Sequence, residues 1–239
     1  MLLALWSPKG GSGTSLVAAA CSIVLARHGG GARLADLDGD QPAIFGLDAD
    51  PPTGLGDWLA VGPEAPTEAL ARLAVEALPG VALLPRGRAE RSLAPVPAAE
   101  AGAALGVALR DGPPTVVDLG AGSAPPARAL LEVADAAVVV LRGCYLALRG
   151  AVHSAGLART SGVVLVQEQG RTLRESDVAG VLDRPVLARV PVRVSIARAV
   201  DAGVFGRRLP EALARPATEL LGRLGLLPTG RGRAPGEAA

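Results

Sequence analysis

The chain has 239 residues, 49% of them hydrophobic, and a formal net charge of +1. That length and apolar content suit one large domain, and the interspersed, near-neutral charge excludes bulk electrostatics as a basis for binding nucleic acid or membrane. Cys21 and Cys144 lack any metal-ligand spacing and read as small buried residues, and the apolar runs fall short of the roughly 18 residues that span a bilayer.

In chain order, the apolar run Leu2–Trp6 predicts a first strand and the alanine-rich stretch from Leu16 to Arg27 a first helix. Only five side chains are aromatic, so the core falls to Ala, Val and Leu, which suits helices packed closely on a parallel sheet. Between strand and helix stands Ser7-Pro8-Lys9-Gly10-Gly11-Ser12-Gly13-Thr14-Ser15. Its glycines let backbone N–H groups turn inward as an anion nest at a helix N-terminus. Against the phosphate loop G-x-x-x-x-G-K-[ST], Pro8 replaces the first glycine and Thr14 the lysine, while Ser15 keeps the hydroxyl that ligates magnesium.

Lys9, just before the glycine pair, is the only lysine among 24 basic residues, and Asn is absent altogether. Such a composition replaces lysine wherever arginine serves. The surviving one therefore marks a place where a compact ammonium must fit, as between phosphate oxygens.

Arg27-His28-Gly29-Gly30-Gly31 ends the helix, and Ala32–Ala35 predicts a second strand that delivers Asp36-Leu37-Asp38 to its carboxyl end. Ligands of open parallel sheets sit outside those ends, so both acids face the crevice of the glycine loop. Residues 40–66 read as a mobile, switch-like connection with a short helical piece near Asp57-Trp58-Leu59. A helix is expected over Glu68–Leu78, a short strand over Val81–Leu84, and a solvated loop carrying Arg86, Arg88 and Arg91. Ala98–Arg110 is helical by spacing.

Thr115-Val116-Val117-Asp118-Leu119-Gly120 is a buried strand ending in an acid and a glycine, the arrangement by which phosphate-loop proteins hold magnesium and place a γ-phosphate-sensing loop. Next come a strand over Ala136–Leu141, a helix over Tyr145–Arg159, strands over Val163–Val166 and Val186–Val190, and a segment opened by Pro191. Leu213, Leu220, Leu221 and Leu224 form a stripe in Glu211–Leu227, interrupted by Pro216 and expected to pack on the domain. From residue 228 the Gly, Pro and Arg-rich tail is expected to be disordered.

Lys9 to Ser15, the D-x-D at Asp36 and Asp38, the strand ending in Asp118 and the Pro191 segment occur in the order of the ParA/MinD family, whose deviant loop reads K-G-G-x-G-K-[ST]. The chain resembles that family from Met1 to about Leu227. The resemblance implies a single α/β phosphate-loop NTPase domain over residues 1–227, with a mostly parallel central sheet and helices on both faces. It implies ATP and Mg2+ as cofactors, the nucleotide held by Lys9, Gly10, Gly11, Ser12, Gly13, Thr14 and Ser15, and the metal side formed by Ser15, Asp36 and Asp118. Asp38 corresponds to the acid that orients the attacking water. Lys9 corresponds to the signature lysine that crosses a homodimer to the partner's nucleotide. Gln167 stands where relatives place an adenine-reading Asn, with the same amide donor and acceptor on a longer arm.

Loss of the usual loop lysine is similar to the CpaE and TadZ pilus-assembly branch. Those relatives often carry a receiver-like domain that a chain opening on its first strand is expected to lack. The nitrogenase iron protein shares the deviant loop but needs a cysteine soon after the magnesium aspartate, and Asp118 has none. Three functions stay open at this point. The first is a cytoplasmic ATP-dependent switch with weak hydrolysis at most, recruiting a pilus, secretion or division assembly at the membrane's inner face or a cell pole. The second is an inactive scaffold, favoured by Thr14, and the third is a DNA-segregation ATPase.

Overall fold

Strand β1 (Leu2–Trp6) lies where two cores meet: Leu3 and Leu5 enter one, and Leu2, Ala4 and Trp6 the other. That alternation is the pleat of a strand buried on both faces, which is why its sequence is apolar throughout. The computed structural model describes residues 1–88 and 98–227. Arg91 and the tail from 228, on which expectations were placed above, lie outside the described residues.

Among the described residues the sheet has the order β3-β4-β2-β5-β1-β6-β7-β8. β5 (Thr115–Asp118) and β6 (Ala136–Arg142) flank β1, with β2 (Ala32–Asp36) beyond β5 and β7 (Gly162–Gln167) and β8 (Val186–Pro191) beyond β6, all parallel. β4 (Val81–Leu84) adds in parallel to β2, and β3 (Val75–Leu78) closes that edge in antiparallel sense. The chain therefore winds outward in both directions from β1. Such a reversal opens a crevice at the carboxyl ends of the strands.

One face carries α1 (Thr14–Gly29), α2 (Gln41–Ile44), α9 (Val194–Asp201) and α10 (Glu211–Arg223). The other carries α3 (Leu55–Val61), α4 (Ala69–Leu73), α5 (Ala98–Arg110), α6 (Pro125–Val133), α7 (Tyr145–Val152) and α8 (Glu175–Leu182). Alanine lets α1 sit close on the sheet: Ala18, Ala19, Ala20 and Cys21 are fully buried there. Burial pushes the Cys21 thiol up to about 12, so it is an inert core residue, whereas Cys144, also expected to be buried, is only half-buried at the start of α7.

The helix expected over Glu68–Leu78 stops at Leu73. Ala74 is extended, and Val75–Leu78 folds back on β4 through the turn Pro79-Gly80, with Gly80 at φ 83. Pro followed by a left-handed Gly is a type II hairpin turn, and strand pairing there overrides the helical spacing. The helix expected over Tyr145–Arg159 breaks at Ser154, whose Oγ accepts from Gly156 N and caps a separate 3-10 turn at Ala155–Arg159. Pro216 does not interrupt α10. The helix runs through it, and the Leu213, Leu220 and Leu221 stripe packs on α1 and β8. Residues 40–66, expected to be mobile, pack through Phe45, Leu55 and Trp58, all buried. α6 and α8 fill stretches to which no element was assigned.

Gly102 and Gly180 separate packing from propensity. A Cβ on Gly102 in α5 would fall 2.5 Å from the Pro126 backbone of α6, whereas one on Gly180 in α8 meets nothing within 4 Å. Gly102→Ala is expected to destabilise by about 1–3 kcal/mol through overpacking. Gly180→Ala should stabilise by about 0.4–1 kcal/mol. Chemical denaturation of both variants checks the signs.

Candidate functional site

The loop between β1 and α1 starts from a rigid anchor. Trp6 is buried, its indole Nε1 donates to Thr160 Oγ1 at 3.1 Å, and the next residue, Ser7, is pinned to the β5 side of the crevice by its own N–H, which donates to Gly120 O at 2.8 Å. The Ser7 hydroxyl lies 2.8 Å from Lys9 O, and Ser12 Oγ donates to the same carbonyl at 2.9 Å. The turn is thus tied through its carbonyls and side chains, which leaves backbone N–H groups for a ligand. Gly13, at φ 86, leads into α1. Side chains built on Gly10, Gly11 or Gly13 would meet nothing within 4 Å, so the space over the nest is open. Lys9, Gly10 and Gly11 are exposed, and Ser12, Thr14 and Ser15 are buried.

Asp36 and Asp118 face each other in register at the ends of β2 and β5, both fully buried. Asp36 Oδ1 accepts from Asp38 N at 3.1 Å and Gly39 N at 2.7 Å, and Oδ2 from Gln41 N at 3.0 Å. Its carboxylate therefore shapes the turn that carries Asp38. Asp118 Oδ2 accepts from Gln41 Nε2 at 2.8 Å, Oδ1 accepts from Gly120 N at 3.1 Å, and the Ser15 hydroxyl also bonds to it. Burial, then the charge of Asp118, lift the Asp36 carboxyl to about 7. Burial lifts Asp118 to about 6 against the pull of Gln41 and Ser15.

Gln41 was missed in the sequence. It is fully buried, and its amide bridges Asp118 and the Ser15 carbonyl, 3.0 Å away. A glutamine beside Pro42 at the start of a short helix carries no motif of its own, and only its long-range partners reveal it. Asp38 is half-buried against Gly120, which sits at φ 54 and whose missing side chain leaves room for the Asp38 carboxylate.

Two cavities adjoin the loop. One of about 530 Å3 runs over the nest and is lined by Asp38, Asp40 and Asp201 but by no Lys or Arg among the described residues. The other, of about 230 Å3, has apolar walls including Leu16, Val17, Val166, Pro191 and Ile196, with Arg142 at its rim. Pro191 lines this cavity, whereas Gln167 is exposed and does not line it. Arg142 was also missed, although its place at the carboxyl end of β6 was the available signal.

Magnesium and a nucleotide fit these residues. The nest is open, and Ser15 and Asp118 offer the hard oxygen ligands that magnesium prefers. Among the described residues two buried polar atoms, Thr14 Oγ1 and Gln41 Oε1, have no hydrogen-bond partner. Among the described residues no group of three or more His, Cys, Asp or Glu forms a protein-only metal cage, and no helix is long and apolar enough to cross a membrane.

No family model matches the chain, and no curated protein sequence matches it. Solved structures do. A ParA family ATPase from Chlorobium tepidum TLS superposes with a TM-score of 0.75 at 19% identity, over 93% of this chain and 98% of that one. The septum site-determining protein MinD of Pyrococcus horikoshii OT3, complexed with Mg-ADP, gives 0.74 at 21% identity, over 93% and 95%. A Cyanothece McdA variant in complex with ATP gives 0.71 at 14% identity, over 94% and 96%.

The carboxylate pair makes a pH prediction for the metal-free protein. Both folded values lie above the unfolded ones, so their contribution to stability is fully present below about pH 4 and is lost as pH rises through about 6 to 7. The melting temperature is expected to fall between about pH 4 and about pH 7. A flat calorimetric profile would mean that the two acids ionise without cost.

Proposed function

We propose that this chain, which has the fold of the ParA/MinD ATPases, is a nucleotide-dependent dimerisation switch that binds ATP with magnesium at Gly10–Ser15. One observation carries the reading. Among the described residues the cavity over the nest is lined by three carboxylates and no cation, while Lys9, the only lysine, stands exposed beside it. A polyphosphate bound there needs positive charge from outside the cavity, and a metal together with Lys9 of a second copy supplies it.

In this reading the backbone N–H groups of Gly10 to Ser15 hold phosphate oxygens. Ser15 and Asp118 hold magnesium, which neutralises phosphate charge. Asp38, packed at Gly120, orients water and resets the switch slowly. Val166 and Pro191 wall the base cavity. With Gln167 exposed, the base is held by apolar contact, which discriminates weakly between purines. The solved MinC:MinD complex of Aquifex aeolicus, a fold neighbour, favours a protein partner for the closed dimer. We assign this chain a cytoplasmic role in placing a pilus, secretion or division assembly. A scaffold without nucleotide is the second reading, favoured by Thr14, whose buried hydroxyl fills the lysine position. The absent charge-assisted contact costs about 1.5–3 kcal/mol, or roughly 10- to 150-fold in affinity, which millimolar nucleotide can offset.

Sedimentation velocity with Mg-ATP tests the switch. The wild type is expected to dimerise with nucleotide, Lys9→Ala to remain monomeric, and Asp38→Ala to dimerise while losing any turnover. A Lys9→Ala protein that dimerises like the wild type sinks the cross-dimer role.

A further inference from the structure

The loop has lost its own cation at position 14, yet an arginine from elsewhere in the same chain already rests on it. Arg142, the last residue of β6, places Nη1 3.4 Å from Gly11 O and lines the cavity bounded by Gly11, Ser12, Gly13 and Leu16. It is held there by an ion pair with Glu168, just beyond β7, and Glu168 also binds Arg171 at 2.7 Å. One carboxylate thus latches two arginines beside the loop. The Arg142 side chain is 38% exposed, so it is not locked into the core.

We infer that Arg142 is the phosphate-binding cation of this site in cis, replacing the lysine absent at position 14, and that Glu168 restrains it until a nucleotide arrives. The inference rests on the nucleotide-binding reading above. Its chemistry is that of a guanidinium fork, which matches two phosphate oxygens at once and is suited to reach a phosphate from the side rather than along the axis of α1. From the apolar cavity it approaches the phosphates nearest the ribose, which ATP and ADP share. Glu168 competes for the same fork, so the carboxylate sets how much affinity the arginine delivers.

Calorimetric titration of ADP, ATP and adenosine in magnesium buffer tests this on the full chain. Arg142→Ala is expected to weaken ADP and ATP together by roughly 10- to 150-fold and leave adenosine unchanged. Glu168→Gln is expected to tighten both nucleotides, and the gain should vanish in the Arg142→Ala, Glu168→Gln double variant. Because a merely structural ion pair would weaken binding on loss of either partner, the opposite signs separate the two roles. Wild-type binding that Arg142→Ala leaves intact overturns the inference alone, as does a loss that follows instead from Arg193→Ala, at the other arginine lining the same cavity. Absence of wild-type binding to either nucleotide overturns the proposed function and this inference with it.

Discussion

Asp36 and Asp118 lie opposite each other on neighbouring strands, sealed from water, and two carboxylates so placed cannot both ionise without donors around them. Asp36 is served by the backbone of residues 38–41, and Asp118 by Gln41, Gly120 and Ser15. These bonds tie together the start of α1, the turn after β2 and the loop after β5. Each of the three segments is short and would be free to drift if it answered only to its own sequence. A cation beside Ser15 and Asp118 changes the charge this network holds, and the turn carrying Asp38 is part of the same network. A metal bound there would thus be coupled to the turn that carries Asp38.

Charge is arranged around the loop rather than in it. A conventional phosphate loop carries its own lysine, whereas here the nest is neutral, its cavity is acidic among the described residues, and the nearby cations include an exposed lysine and an arginine latched by Glu168. Affinity then depends on groups that must move or arrive. That suits a switch, since a ligand with no differential affinity for two states cannot shift their balance. The pinning of Ser7 to Gly120 O gives the loop a direct mechanical link to the segment after β5, where a terminal phosphate would be sensed.

Much of this was legible in the sequence because it is local. The run Leu2–Trp6, the glycines at 10, 11 and 13 and the alanines of α1 state strand, nest and helix within thirty residues of each other. Asp36 and Asp118 were found because a strand end is a recognisable place for an acid. What escaped depends on partners far along the chain. Val75–Leu78 has helical spacing and becomes a strand only because Pro79-Gly80 folds it onto β4. Gln41 matters through Asp118, 77 positions away, and Arg142 through Gly11, 131 positions away. Gln167, placed by the resemblance beside a base, is exposed at the end of β7 and lies outside the apolar cavity that Pro191 lines.

Amide hydrogen exchange with and without millimolar Mg-ATP tests the central claim most directly, because it reports the loop and the network behind it at residue resolution. Nucleotide is expected to slow exchange at Gly10–Ser15, whose N–H groups would bond phosphate, and at Asp38–Ile44, which the Asp36 and Gln41 bonds connect to the metal side. Unchanged exchange across both segments, at a nucleotide concentration that saturates relatives of the same fold, would contradict a nucleotide site in this loop.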